Sequence, residues 1–368
     1  MKKVFKYFGI FRRASACERR FPSGIVALFV SAIFAFCILI SCENPWMQDI
    51  LAPLYKETNV YVAGWYNDGI SKACYWKNNT MVELAAPAGA VSSASSIVVI
   101  GGNIYVAGSY NPVRACYWRN GMFTDIHPIG ASESYAHSIA VSGRDAYVVG
   151  SYFDGGGVWP CYWVNGTRTN LSGADSEAYS IFISGRNVYI AGYYEDATVI
   201  KACYWVNGGM PVNLFFPAGA SDSGVNSIAV SGGNVYVAGF YSEGVYARAC
   251  YWKNGIFTDL HPIGAPRSNA VSIALSEGKV YVAGWYNDGS NKACYWVNGG
   301  TPLDLHPSGA TSSNTMSIAV SGGNVYVAGW YNEGSSQRAC YWVNGAMTNL
   351  HPSGTNQSQA NSIVLVRE

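Results

Sequence analysis

Residues 317–354 read SIAVSGGNVYVAGWYNEGSSQRACYWVNGAMTNLHPSG, and this stretch decides the fold. Three alternating apolar runs, each closed by a turn signal, lead into a shorter fourth run that carries Pro352. A period of two broken by Gly and Asn-Gly is the pattern of short strands joined as an antiparallel meander, and no run shows the 3.6-residue period of a helix. The stretch therefore predicts four strands in chain order.

The same unit is written seven times. The Tyr of the second run recurs at Tyr61, Tyr105, Tyr147, Tyr189, Tyr236, Tyr281 and Tyr326, and the Cys of the third at Cys74, Cys116, Cys161, Cys203, Cys250, Cys294 and Cys340. Spacings of 42 to 47 residues per four strands are those of a β-propeller blade. The first copy begins at Asn59 with its second run, while Asn361, Ser362, Ile363, Val364, Leu365 and Val366 form a first run with nothing after it. Joining the two fragments shuts the ring and removes its open edges. The expectation is all-β: seven four-stranded antiparallel blades over 59–368, blade 1 being closed by the C-terminal strand.

Within a blade the first run is short and apolar on both faces, as expected of a strand buried beside the ring axis. The fourth holds Pro87, Pro128, Pro217, Pro262, Pro307 and Pro352, and Pro suits an outer edge because it has no N–H to donate. Tight turns such as Ser231-Gly232-Gly233-Asn234 and Asn344-Gly345 share one face of the disc, with Asn-Gly suiting a type I′ hairpin. The opposite face carries longer connections that differ between copies, where binding loops belong.

Residues present in every copy read as structural. Tyr at the start and end of the second run and after the Cys uses 21 of the 27 tyrosines, and Trp follows at Trp76, Trp118, Trp163, Trp205, Trp252, Trp296 and Trp342. Such rings are expected to pack between blades. Lys72, Arg114, Lys201, Arg248, Lys292 and Arg338 read as hairpin partners of Asp68, Glu195, Glu243, Asp288 and Glu333, pairs worth about 0 to 1 kcal/mol where exposed. The repeat cysteines should be free and buried. Equivalent positions on adjacent blades sit roughly 11 Å apart, beyond the ~7 Å limit for a disulfide and too far to share a metal ion.

Residues 1–42 are expected to be a targeting segment. Seven Lys and Arg precede an uncharged apolar run over 24–41, which ends Leu39-Ile40-Ser41-Cys42. This resembles the lipobox of bacterial lipoproteins, which implies cleavage before a lipid-modified Cys42. The 18-residue run is also just long enough to span a bilayer as a retained helix. In both cases the propeller is exported. Residues 43–58 form a tether that keeps the first strand within about 50 Å of the lipid. Seven of 23 bases and one of 22 acids, Glu18, lie in the leader, so the remainder carries 16 bases against 21 acids. That balance offers no basic stripe, and nucleic acid is not an expected partner.

The third-to-fourth units ACYWVNGAMTNL and ACYWKNGIFTDL resemble the HAF-type repeat of exported bacterial proteins, with Cys-Tyr in place of Phe-Leu and His-Pro in place of Gly. That resemblance implies no catalytic residue and no cofactor. What remains is asymmetry. The residue before the first-run Ser-Ile reads Ser95, His137, Tyr179, Asn226, Val271, Met316 and Asn361 around the ring. Charges in the preceding loops concentrate in consecutive blades. Glu133, Tyr135, His137, Asp175, Glu177, Tyr179, Asp222, Asn226 and Arg267 are thus the candidate ligand-binding residues, for a small polar or carbohydrate ligand. His127, His261, His306 and His351 are placed at the rim, too dispersed for a metal. Two classes of function follow. One is a non-enzymatic, lipid-anchored scaffold, monomeric, binding an envelope protein or glycan. The other is an exported hydrolase or lyase using Glu133, His137, Asp175 and Glu177 for acid–base work.

Overall fold

A computed structural model describes residues 58–367 apart from 112, 174, 197 and 198. The leader, Cys42 and the tether up to residue 57 lie outside the described residues. Among the described residues no helix is long and apolar enough to cross a membrane.

Seven four-stranded antiparallel sheets form the ring. In blade 3 the strands are Glu133–Ser142, Asp145–Phe153, Val158–Val164 and Thr167–Asn170, from the axis outward. Blade 1 takes its innermost strand, Gln357–Arg367, from the C-terminus and pairs it with Thr58–Asn67. That strand also bonds both neighbouring blades. Ile363 N–H donates to Ser317 Oγ at 3.1 Å, Ile97 N–H to Ser362 Oγ at 3.2 Å, and Asn361 Nδ2 to the Ala94 carbonyl at 2.8 Å.

The core lies between blades, and strand alternation puts it there. In blade 1, Val62, Tyr66, Cys74 and Trp76 pack against Tyr326, Ala328 and Tyr341 of blade 7, while Tyr61, Ala63 and Ala73 pack against Cys116 and Trp118 of blade 2. Successive side chains point to opposite faces of a strand, so one run of sequence fills two inter-blade gaps. All seven repeat tryptophans are fully buried, and all seven cysteines are free and buried. Burial is also what raises every repeat thiol's pKa, since a thiolate would lack water.

The innermost strand of each of blades 2 to 7 carries a β-bulge, for example between Ala136 and Ser138 and between Ala178 and Ser180. The extra residue is the one preceding Ser-Ile, so His137, Tyr179 and Asn226 are bulge residues. The bulge drives a carbonyl over the second strand, and glycine faces it. A Cβ on Gly150 would lie 1.8 Å from the Tyr135 carbonyl oxygen, and one on Gly329 would lie 2.1 Å from that of Asn314.

In six of the seven blades a buried serine near the start of the innermost strand accepts an N–H from the previous blade; blade 4 differs because Pro160 has none to give. Ser134 Oγ accepts from Ala115 N–H at 2.8 Å and bonds His127 Nδ1 at 2.8 Å. Ser268 does the same for Ala249 and His261, and Ser358 for Ala339 and His351. The rim histidines are thus tied into blade junctions. On the tight-turn face, Asn120, Asn254 and Asn344 hold φ of 51°, 50° and 49°, each followed by a positive-φ Gly, as a type I′ hairpin requires.

Three expectations need correction. Only in blade 5, where Ile228, Ala229 and Val230 are all buried, is the apolar run of the innermost strand buried on both faces. In blade 3 Ile139 is buried while Ala140 and Val141 are half-buried, because the strand's free edge borders the axial channel. The recurrent prolines follow the outer strands instead of lying on them: Thr80–Glu83 precedes Pro87 and Met122–Asp125 precedes Pro128. Their carbonyls accept the N–H three residues on, closing a turn. Lys201 pairs with Asp196 at 2.5 Å and not with Glu195. Lys72–Asp68, Arg248–Glu243, Lys292–Asp288 and Arg338–Glu333 pair as the sequence predicts.

Candidate functional site

The loops of blades 3 and 4 break the sevenfold pattern, and a cleft of about 440 Å³ opens among them. It lies on the face of the longer connections. Glu133, Tyr135 and His137 reach it from the innermost strand of blade 3, Ser151, Tyr152 and Phe153 from the second, and Val158 from the third. Glu177 closes it from the innermost strand of blade 4, Ser176–Ser184.

The bulges aim these side chains. His137 stacks on Tyr135, with ring centroids 5.9 Å apart and planes 4° from parallel, and meets Tyr179 of blade 4 at 5.1 Å. Tyr179 in turn packs on Tyr193 at 5.9 Å. Burial holds the His137 pKa below the ordinary histidine value against the opposing pull of the Glu177 carboxylate, so the ring is neutral at neutral pH. Burial, helped by the charge of Glu177 and a hydrogen bond to it, raises the Tyr179 hydroxyl, and Tyr193 is raised by the same three causes. Glu133 accepts the Tyr135 hydroxyl at 2.8 Å, and that hydrogen bond is the main reason Tyr135 is raised.

Two buried polar atoms of cleft-lining residues have no hydrogen-bond partner: His137 Nε2 and Ser151 Oγ. Ser151 is only 1% exposed. An unpaired buried hydroxyl costs about 1–3 kcal/mol unless a water or ligand group meets it.

The structure brings Glu133, Tyr135, His137 and Glu177 together in the cleft lining, with Tyr179 packed behind His137, and leaves the other four candidates apart from this group. Asp175 is exposed in the loop before the strand, with a left-handed φ of 52°. Asp222 accepts the Ile200 N–H at 3.2 Å. Asn226 spends its amide on Asn269 Oδ1 and the Ala270 carbonyl, both at 2.8 Å, bridging blades 5 and 6. Arg267 is exposed on the loop entering blade 6. Among the described residues no cluster of His, Cys, Asp and Glu could hold a metal ion.

Sequence reasoning passed over Ser151, Tyr193 and Trp159, although a signal for each exists. The position before the last Tyr of the second strand reads Trp65, Ser109, Ser151, Tyr193, Phe240, Trp285 and Trp330. Serine in blade 3 removes the large ring found in five other copies. The cation before Ala-Cys is likewise absent from blade 3, where Trp159 stands instead and donates Nε1–H to Asp154 Oδ1 at 3.1 Å.

No protein-family model matches the sequence, and no curated protein matches it. Among solved structures, the chain is similar to the BP39L lectin from Burkholderia pseudomallei, at 13% identity and a TM-score of 0.47 over 78% of this chain and 93% of that one. It is similar to the periplasmic gluconolactonase PpgL of Pseudomonas aeruginosa, at 15% identity and a TM-score of 0.46 over 84% and 99%. The computationally designed protein Ika8 aligns at 15% identity and a TM-score of 0.44, over 83% and 91%. At such values these likenesses say nothing of ligand or activity in this chain.

Proposed function

We propose that the protein is an exported propeller, lipid-anchored through Cys42, that acts as a non-enzymatic binding or assembly scaffold at the cell envelope and recognises its ligand in the cleft between blades 3 and 4. One observation carries the recognition site: two buried, unpartnered polar atoms belong to side chains that line a single cleft, in the sector where the repeats diverge. Export and anchoring are supported by the basic and apolar regions of the leader and by Leu39-Ile40-Ser41-Cys42. Kinship with HAF-type repeat proteins is supported by the ACYWVNG and TNL segments.

A hydrolase or lyase would draw on Glu133, His137 and Glu177 for acid–base work. Nε2 of His137 has no hydrogen-bond partner, so neither carboxylate bonds that nitrogen, and no observation favours this reading over the scaffold. The scaffold reading is tested by measuring wild type and Tyr135→Ala against a panel of envelope glycans and peptides. Binding should fall with the variant, and equal binding would remove the cleft from the account. Anchoring is tested by mass spectrometry of the membrane fraction, where Cys42→Ala should abolish a lipid adduct seen in wild type.

A further inference from the structure

The proposal above leaves the ligand's chemistry open, and three features of the cleft narrow it. The first is charge. Glu133 and Glu177 both line the cleft, no Lys or Arg does, and neither acid forms an ion pair among the described residues. Elsewhere in the ring hairpin carboxylates are answered by the cation preceding Ala-Cys, as with Lys72 and Asp68 at 2.9 Å or Lys292 and Asp288 at 2.6 Å. Blade 3 is the copy that has lost this cation, to Trp159, which donates to the hairpin carboxylate of Asp154 in its place and leaves no repeat cation near the cleft. Arg168 of that blade lies 4.1 Å from the centroid of the ring of Tyr152, a lining residue, but does not itself line the cleft.

The second feature is hydrogen-bonding capacity. Ser151 Oγ is unsatisfied and 1% exposed, and His137 Nε2 is unsatisfied as well. A neutral imidazole protonated on Nδ1 offers Nε2 as an acceptor. The third feature is the wall. Tyr135 and Phe153 are 37% and 38% exposed there, giving π faces that attract a cation and apolar surface for an alkyl chain.

From these we infer that the cleft, taken as the recognition site proposed above, binds an organic primary ammonium group at the end of an alkyl chain. Its three N–H donors match a carboxylate, a hydroxyl and an imidazole nitrogen, and its positive charge answers two carboxylates that no cation neutralises among the described residues. A quaternary ammonium would supply charge but no donor. A neutral sugar would supply donors but leave both carboxylates uncompensated, and an anion would be repelled.

The test uses the full chain in mild detergent. Calorimetric titration with 1,4-diaminobutane and with Nα-acetyl-lysine methylamide separates a free amine from a lysine side chain; tetramethylammonium, methyl glucoside and succinate are the comparison probes. At least one primary amine should bind, weaken several-fold between about 50 and 500 mM salt as its ion pairs are screened, and lose about tenfold in affinity with Glu177→Gln. Glu133→Gln, at an exposed position, gives a second reading if the first variant folds poorly. Glu277→Gln, on the tight-turn face, should leave binding unchanged. Amine binding that is equal in wild type and both cleft variants would overturn the inference, as would no amine binding. Methyl glucoside binding that is insensitive to salt and lost with Tyr135→Ala would overturn the ammonium assignment while leaving the cleft standing as a recognition site.

Discussion

At the residue scale, Gly150 shows how one hydrogen in place of a methyl supports the whole blade. The bulge at His137 puts the Tyr135 carbonyl 1.8 Å from where a Cβ would sit, so Gly150→Ala must displace backbone. Unfolding in denaturant should show a loss of at least about 2 kcal/mol, and a variant within 0.5 kcal/mol of wild type, about the scatter of surface substitutions, would contradict this geometry. The histidines make a second residue-scale prediction. His137, His261 and His351 have lowered pKa values, with burial the main cause. The folded state therefore binds these protons less readily than the unfolded chain does. Their contribution to stability is complete above the unfolded value of about 6.5 and is lost as pH falls through the lowered folded values. Thermal melts should show Tm dropping on acidification from neutral pH, with a shallower drop in the combined variant His261→Gln/His351→Gln; an unchanged slope would count against it.

At the element scale the Asn-Gly hairpins carry more than a turn. Asn254 holds φ at 50°, its Oδ1 accepts the Val235 N–H at 2.8 Å, and its Nδ2 donates to Asn234 Oδ1 at 2.8 Å, clamping the two turns of the blade together. Asn254→Ala loses the clamp and leaves in the left-handed region a residue without the amide that makes that conformation tolerable to Asn, for an expected total of about 2 kcal/mol. Asn254→Gly loses the clamp alone and should recover roughly half of that in denaturant midpoints. Equal losses would mean that the backbone conformation is not at issue.

For the whole molecule, closure depends on a strand from the far end of the chain. Gln357–Arg367 supplies the innermost strand of blade 1 and bonds blades 2 and 7. Deleting 357–368 should lower Tm sharply. It should also make buried repeat thiols such as Cys74 and Cys340 react with a disulfide reagent under conditions where the intact ring protects them. A truncated chain that melts like wild type and keeps its thiols protected would argue against a ring closed by this strand.

Sevenfold repetition, antiparallel strands, closure by the two ends and free thiols were all legible in the sequence. Each depends on local alternation, turn chemistry or spacing, which a chain carries along its length whatever surrounds it. The bulge was not legible: it lengthens the step between buried positions to three, from Ala136 to Ile139, but the residues there are small or polar enough that the sequence does not display the break. The cleft was partly legible. Charged and aromatic loop residues could be picked out as unlike their counterparts, yet no spacing says that Glu177 and Tyr179 of blade 4 meet His137 of blade 3, or that Asn226 turns away to bridge blades 5 and 6. Those meetings are fixed by the packing of one blade against the next. Only the folded ring could show that Ser151 leaves its hydroxyl unpaired in the cleft that Glu133 and Glu177 line.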